Sequence, residues 1–99
     1  MSPWKAAQVG DHFDQIDTPA LILDLDAFEQ NIKTLQAATS AKGIRLRPHA
    51  KSHKCPEIAK RQIKAGAIGI CCQKVSEAAV FVEAGIEDIF VTNQVVGEK

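Results

Sequence analysis

The sequence predicts an α/β fold built on a parallel sheet, and three observations carry that expectation. Short apolar runs of strand character alternate with stretches of helical periodicity along the 99 residues. Each helical stretch ends on a glycine (Gly43, Gly66, Gly85) and passes straight into an apolar run. The pattern also repeats: Ala65-Gly66-Ala67-Ile68-Gly69-Ile70 lines up with Ala84-Gly85-Ile86-Glu87-Asp88-Ile89, and Gly43-Ile44-Arg45-Leu46 echoes it faintly. Strand–helix–strand units of this kind cross over right-handedly in nearly every case, so their strands lie side by side and parallel.

Taken in order, residues 1–17 are irregular, a lead-in that Thr18-Pro19 punctuates. Ala20 to Asp24 reads as a short buried strand. Asp26 with Glu29 three positions on has the form of a capping box. Phe28, Ile32 and Leu35 follow at helical spacing, predicting a helix to about Ala41. Ile44 to Arg47 is a second strand, leading into a polar loop from Pro48. Pro56 sits where a first helical turn tolerates a residue without an N–H, so a helix is expected over Glu57 to Lys64. Ala67 to Cys71 is a third strand, Ser76 to Glu83 a helix, and Asp88 to Val91 a fourth strand. Val95-Val96-Gly97-Glu98-Lys99 follows, where a further helix is expected. A closed barrel needs eight βα units and about 250 residues. The chain is therefore either a small open sheet or the opening of a larger domain, and we read it as the second.

Composition narrows the class of function. With 45% hydrophobic and 24% charged residues, the chain has the balance of an ordinary globular domain. No apolar run approaches the 18 residues of a membrane span, and Met1 to Lys5 lacks the form of a signal peptide, so a cytoplasmic setting is expected. Three cysteines (Cys55, Cys71, Cys72) without a C-x-x-C pair indicate neither a disulfide framework nor a zinc site, and read as free thiols. Net charge is zero, yet nine Lys or Arg residues and one acid, Glu57, fall between Lys42 and Lys74, with acidic flanks on both sides. Such a block suits nucleic acid or a phosphorylated, anionic small molecule. No aromatic residue interleaves it, which counts against stacking on single strands. Neither a nucleic-acid partner nor a membrane is expected.

In parallel α/β folds, ligands sit beyond the carboxyl ends of the strands. Three polar segments take that place here: Arg47 to Lys54, Cys72 to Ser76, and Thr92 to Gln94. In Arg47-Pro48-His49-Ala50-Lys51-Ser52-His53-Lys54, an extended chain puts His49, Lys51 and His53 on one face by period-two alternation. Like charge from Arg47 and Lys54, and burial in a site, would lower the pKa of Lys51 toward the neutral amine that Schiff-base chemistry requires. The same residues are also compatible with a solvated surface loop, or with two histidines on a metal, although the loop offers no complete tetrahedral set. Glu77 near a helix start reads most simply as a residue favoured by the helix dipole.

Four stretches then occur in one order: Asp17-Thr-Pro-Ala-Leu-Ile-Leu-Asp-Leu-Asp26, Arg47-Pro-His-Ala-Lys-Ser-His-Lys54, Gly69-Ile-Cys-Cys-Gln-Lys-Val-Ser-Glu77 and Val91-Thr-Asn93. Together they resemble the opening of the D-threonine aldolase, D-serine dehydratase and 3-hydroxy-D-aspartate aldolase group. These are fold-type III enzymes whose pyridoxal-phosphate (β/α)8 TIM barrel, followed by a β-rich domain, is similar to that of alanine racemase. The resemblance implies that residues 18–99 are the first part of such a barrel, about three βα units, after a 1–17 lead-in. It also implies that Ala20 to Asp24 pairs with the second domain and that Ile44 to Arg47 is the first barrel strand.

The resemblance assigns Lys51 the covalent hold on pyridoxal 5'-phosphate and a later role as base or proton shuttle at the α-carbon. Gln73 would lie close to the cofactor, and His49, His53 and Asn93 would line the site. Arg47 is left between a contact to the cofactor and a structural salt bridge. The implied activity is that of a lyase on D-3-hydroxy amino acids, giving glycine plus an aldehyde by retro-aldol cleavage, or a 2-oxo acid and ammonia by dehydration. A divalent metal at the β-hydroxyl belongs to this chemistry, with ligands implied in the C-terminal domain and none here. The group's phosphate cup is likewise implied on later strands. The rivals are an amino-acid racemase using the same lysine, a non-catalytic pyridoxal-phosphate-binding protein, and a truncated, partly folded product. The full-length protein is expected to be the enzyme, as a homodimer, and the 99-residue chain alone to be inactive.

Overall fold

The structure is a computed structural model that describes residues 5–97. Met1 to Trp4, read above for a signal sequence, and Glu98-Lys99, at the expected further helix, lie outside the described residues. A single 3₁₀ turn at Phe13–Gln15 precedes α1 (Leu25–Ala41), α2 (Pro56–Ala65), β1 (Ile70–Cys72), α3 (Val75–Glu83) and β2 (Ile89–Val91). β1 and β2 pair in parallel, with Ile70 opposite Ile89, Cys71 opposite Phe90 and Cys72 opposite Val91. The helix between them, α3, packs on both strands. The expected parallel βαβ unit is therefore present.

The helices follow from local rules. Pro56 opens α2, and Gly66 closes it at φ +128°, a conformation that strains any residue with a Cβ. The helix α1 starts earlier than expected. Asp24, not Asp26, is its cap: the Asp24 carboxylate accepts the Ala27 N–H at 3.1 Å. Asp26 falls inside the first turn, where its charge suits the helix dipole.

Two expected strands differ from expectation. Ala20 to Asp24 forms no strand and is not buried; Leu21 is fully exposed, and Ile22 and Leu23 are more than half exposed. A strand is made by its neighbour's hydrogen bonds, and none stands beside this segment among the described residues. Ile44 to Arg47 runs extended beside β1 but without a continuous ladder. Leu46 O accepts the Ile68 N–H at 2.9 Å and Pro48 O the Cys71 N–H at 2.8 Å. Ala50 N donates to Cys71 O at 2.8 Å, so His49 pairs with Cys71 in one isolated bridge. A second rung would need an N–H at position 48, and Pro48 has none.

β1 also begins later than expected, at Ile70. A Cβ on Gly69 would stand 2.3 Å from Asp88 O and 2.8 Å from the Arg47 guanidinium, so this close crossing requires glycine. The buried cluster joins Ala50, Ala59 of α2, Ile70 and Cys72 of β1, Ala78 and Phe81 of α3, and Ile86. Both α2 and α3 thus cover the face carrying Ile70 and Cys72. Alternation turns Cys71 and its partner Phe90 to the other face, where Phe90 is 56% exposed.

Candidate functional site

The C-terminal ends of the His49 segment, β1 and β2 lie together. After Ala50 the chain turns, and Lys54 N donates to Ala50 O at 2.9 Å. This turn corrects the extended reading: His49, Lys51 and His53 do not share a face by alternation. Lys51 stays exposed instead of sitting at the bottom of a site. Its N–H donates to His49 Nδ1 at 3.2 Å and its carbonyl accepts from the Lys54 amine, so both backbone polar groups are tied. Its own Nζ has no hydrogen bond or ion pair among the described residues.

His49 reaches across the ends of the strands, with Nε2 lying 3.3 Å from Thr92 Oγ1. The Thr92 hydroxyl also lies 3.4 Å from Cys72 O. His53 turns inward. Its Nδ1 accepts the Cys55 N–H at 2.9 Å, just before α2, and its ring meets Phe81 edge-on with centroids 6.3 Å apart. Burial pushes its pKa below the ordinary histidine value, and its Nε2 is buried with no partner among the described residues. This packing sets His53 against the core instead of along the mouth, because the turn at 51–53 reverses its direction.

Gln73 and Asn93 do come together. They line a cavity of about 260 Å³ with Lys74, Ser76 and Gln94, where the chain leaves β1 and β2; Lys51 and His49 do not line it. Gln73 N–H donates to the buried Glu77 carboxylate at 3.2 Å, so Glu77 closes the start of α3. The adjacent Cys72 thiol is pushed up by burial first, with the Glu77 and Cys71 charges adding.

Arg47 lies elsewhere. Its guanidinium donates to Asp88 Oδ1 at 2.7 Å and to Ile70 O at 3.3 Å, where β1 and β2 begin. The hydrogen bond to Asp88 raises its pKa, with burial opposing. Of the two roles left open, the structure shows the salt bridge. The sequence reading assigned no role to Thr92 or to Asp88. For Thr92 the signal was its position directly after an apolar strand; for Asp88 there was none.

Among the described residues, no group of three His, Cys, Asp or Glu side chains gathers as metal ligands, and no helix is long and apolar enough to cross a membrane. Residues 23–99 match the model for the alanine racemase N-terminal domain. The chain belongs to the alanine racemase N-terminal domain family. Within that family it is 59% identical over 91 residues to a D-threonine aldolase from an Arthrobacter species, covering 92% of this chain and 24% of that protein. It is 50% identical over 82 residues to the 3-hydroxy-D-aspartate aldolase of Paracoccus denitrificans, covering 82% and 21%. The crystal structure of D-threonine aldolase from Filomicrobium marinum superposes with a TM-score of 0.81 at 63% identity, over 83% of this chain and 22% of that one. The alanine racemase N-terminal domain fold therefore covers the candidate site, while the chain spans about a quarter of the length of these relatives.

Proposed function

We propose that this chain belongs to a pyridoxal-phosphate-dependent lyase that cleaves D-3-hydroxy amino acids by retro-aldol reaction, with Lys51 holding the cofactor. One observation carries the reading: the Lys51 amine is unshared, on a backbone tied at both polar groups, just after the His49 segment that lies beside the ends of β1 and β2. An amine so placed fits an aldehyde cofactor. Similarity to two aldolases across this segment supports the substrate class. Pyridoxal phosphate, when bound, supplies the electron sink for bond cleavage at the α-carbon.

The chain's own residues divide the work. Lys51 Nζ holds the cofactor and moves a proton at the substrate α-carbon. Gln73 and Asn93, grouped at the ends of β1 and β2, line the cofactor side, and His49 holds the Lys51 backbone. Arg47 and His53 serve behind them, one tying the strand starts together and the other bracing α2 against Phe81. A divalent metal at the substrate β-hydroxyl, held by residues outside this chain, completes the reading, together with a cytoplasmic homodimer. We also infer that the 99-residue chain alone does not turn over.

Borohydride reduction of the full-length protein with pyridoxal phosphate, followed by peptide mapping, tests the lysine. Label on Lys51 is expected, and label on any other residue overturns the assignment. Glycine from D-threonine marks the aldolase, pyruvate from D-serine the dehydratase, and the L-enantiomer alone a racemase.

A further inference from the structure

We propose that Thr92 is a positioning residue for Lys51, acting through the His49 ring. This rests on the reading of Lys51 as the cofactor lysine. Three hydrogen bonds run in one direction across the ends of three neighbouring segments. The Lys51 N–H donates to His49 Nδ1 at 3.2 Å. A ring nitrogen that accepts carries no proton, so the neutral ring has its proton on Nε2, facing Thr92 Oγ1 at 3.3 Å. The hydroxyl then gives its own proton to Cys72 O at 3.4 Å, and that carbonyl also accepts the Thr92 N–H at 2.9 Å. Each donor is used once and each acceptor is matched.

The hydroxyl decides which way the ring sits. With Thr92 Oγ1 present, Nε2–H has an acceptor and Nδ1 is left free to receive the lysine's backbone. Without it, Nε2–H has no acceptor among the described residues, and the other tautomer would set Nδ1–H against the Lys51 N–H, donor to donor. The root of the reactive side chain would then lose its anchor. A misplacement of about 1 Å, caused by a residue that never touches the reacting atoms, can cost about a hundredfold in rate.

The experiment uses the full-length protein loaded with pyridoxal phosphate and the variants Thr92→Val, Thr92→Ala and Thr92→Ser. Three quantities are read: borohydride label at Lys51, the pH midpoint of the bound cofactor's visible absorbance, and kcat and KM for D-threonine. The valine and alanine variants are expected to keep the label, to displace the pH midpoint, and to lower kcat by about ten- to a hundredfold with KM little changed. Serine keeps the hydroxyl and is expected to restore both midpoint and kcat. An unmoved midpoint in the alanine and valine variants overturns the proposal, as does a serine variant that behaves like valine. If Thr92→Val fails to fold, the comparison of alanine with serine decides. Absence of label at Lys51 in the unsubstituted protein refutes the lysine assignment instead, so the two failures are distinct.

Discussion

A single backbone oxygen explains why position 69 is glycine. Asp88 O would meet a Cβ there at 2.3 Å, and a carbonyl held by the Ile70 N–H at 3.0 Å has little room to move. Gly69→Ala is therefore expected to destabilise the fold by about 1–3 kcal/mol, read as a lower urea midpoint. Lys51 is the opposite case: its side chain is exposed and unshared, so Lys51→Ala should leave the urea midpoint of the 99-residue chain unchanged, whereas in the full-length protein, on the proposed reading, it should abolish cofactor absorbance and turnover. His53 carries a pH signature. Burial lowers its pKa from 6.5 in the folded chain, so the unfolded chain takes up the proton first as pH falls. Stability from this group is flat above 6.5 and declines below it until the folded value is passed. His53→Asn retains an acceptor for the Cys55 N–H and cannot titrate. Urea midpoints at about pH 8 and pH 5, either side of the unfolded histidine value, should then lie closer together in the variant, and an unchanged gap would trace the decline to another group.

The elements divide by what makes them. The helices α2 and α3 and their glycine stops were legible because helical bonds, caps and left-handed turns lie within a few residues of one another. The helix α1 was legible in extent, but its cap was displaced by two residues, since two aspartates competed for one role and only the backbone at Asp24 is extended. No residue of α1 is buried, so the cap acts locally. Asp24→Ala should cost about 1 kcal/mol, a factor of about five in local opening. Hydrogen exchange should show it in the first turns of α1, with α3 amides unaffected. Strands were harder to read. Ile44 to Arg47 has the composition of a strand, yet Pro48 removes the rung that would have made it one. Ala20 to Asp24 has the composition too and lacks a neighbour.

As a whole, the molecule is a slab of 51 × 40 × 19 Å with a radius of gyration of 16.3 Å, against about 13 Å for a compact domain of this length. Helices cover one face of the sheet, and the face with Cys71 and Phe90 is open, although the relatives are some four times longer. Phe90 separates the two contexts. In the 99-residue chain Phe90→Ser should change stability by less than about 0.5 kcal/mol, as for an exposed side chain. In the full-length protein, where further chain is expected over that face, the same change should cost about 3–5 kcal/mol. Equal small costs in both would mean that the face stays open.

Local chemistry was enough to write the α/β alternation, the helix limits at Gly43, Gly66 and Gly85, the parallel pairing of the later strands, and the lysine motif at the strand ends. Those features depend on periodicity, φ preference and residue type, which travel with the chain. Contacts between distant residues did not. That Arg47 belongs to Asp88, that His53 faces Phe81, and that Thr92 reaches His49 became visible only after folding had closed separations of 41, 28 and 43 residues. A hydrogen bond is directional and short, so which distant donor meets which acceptor is settled by packing, not by composition.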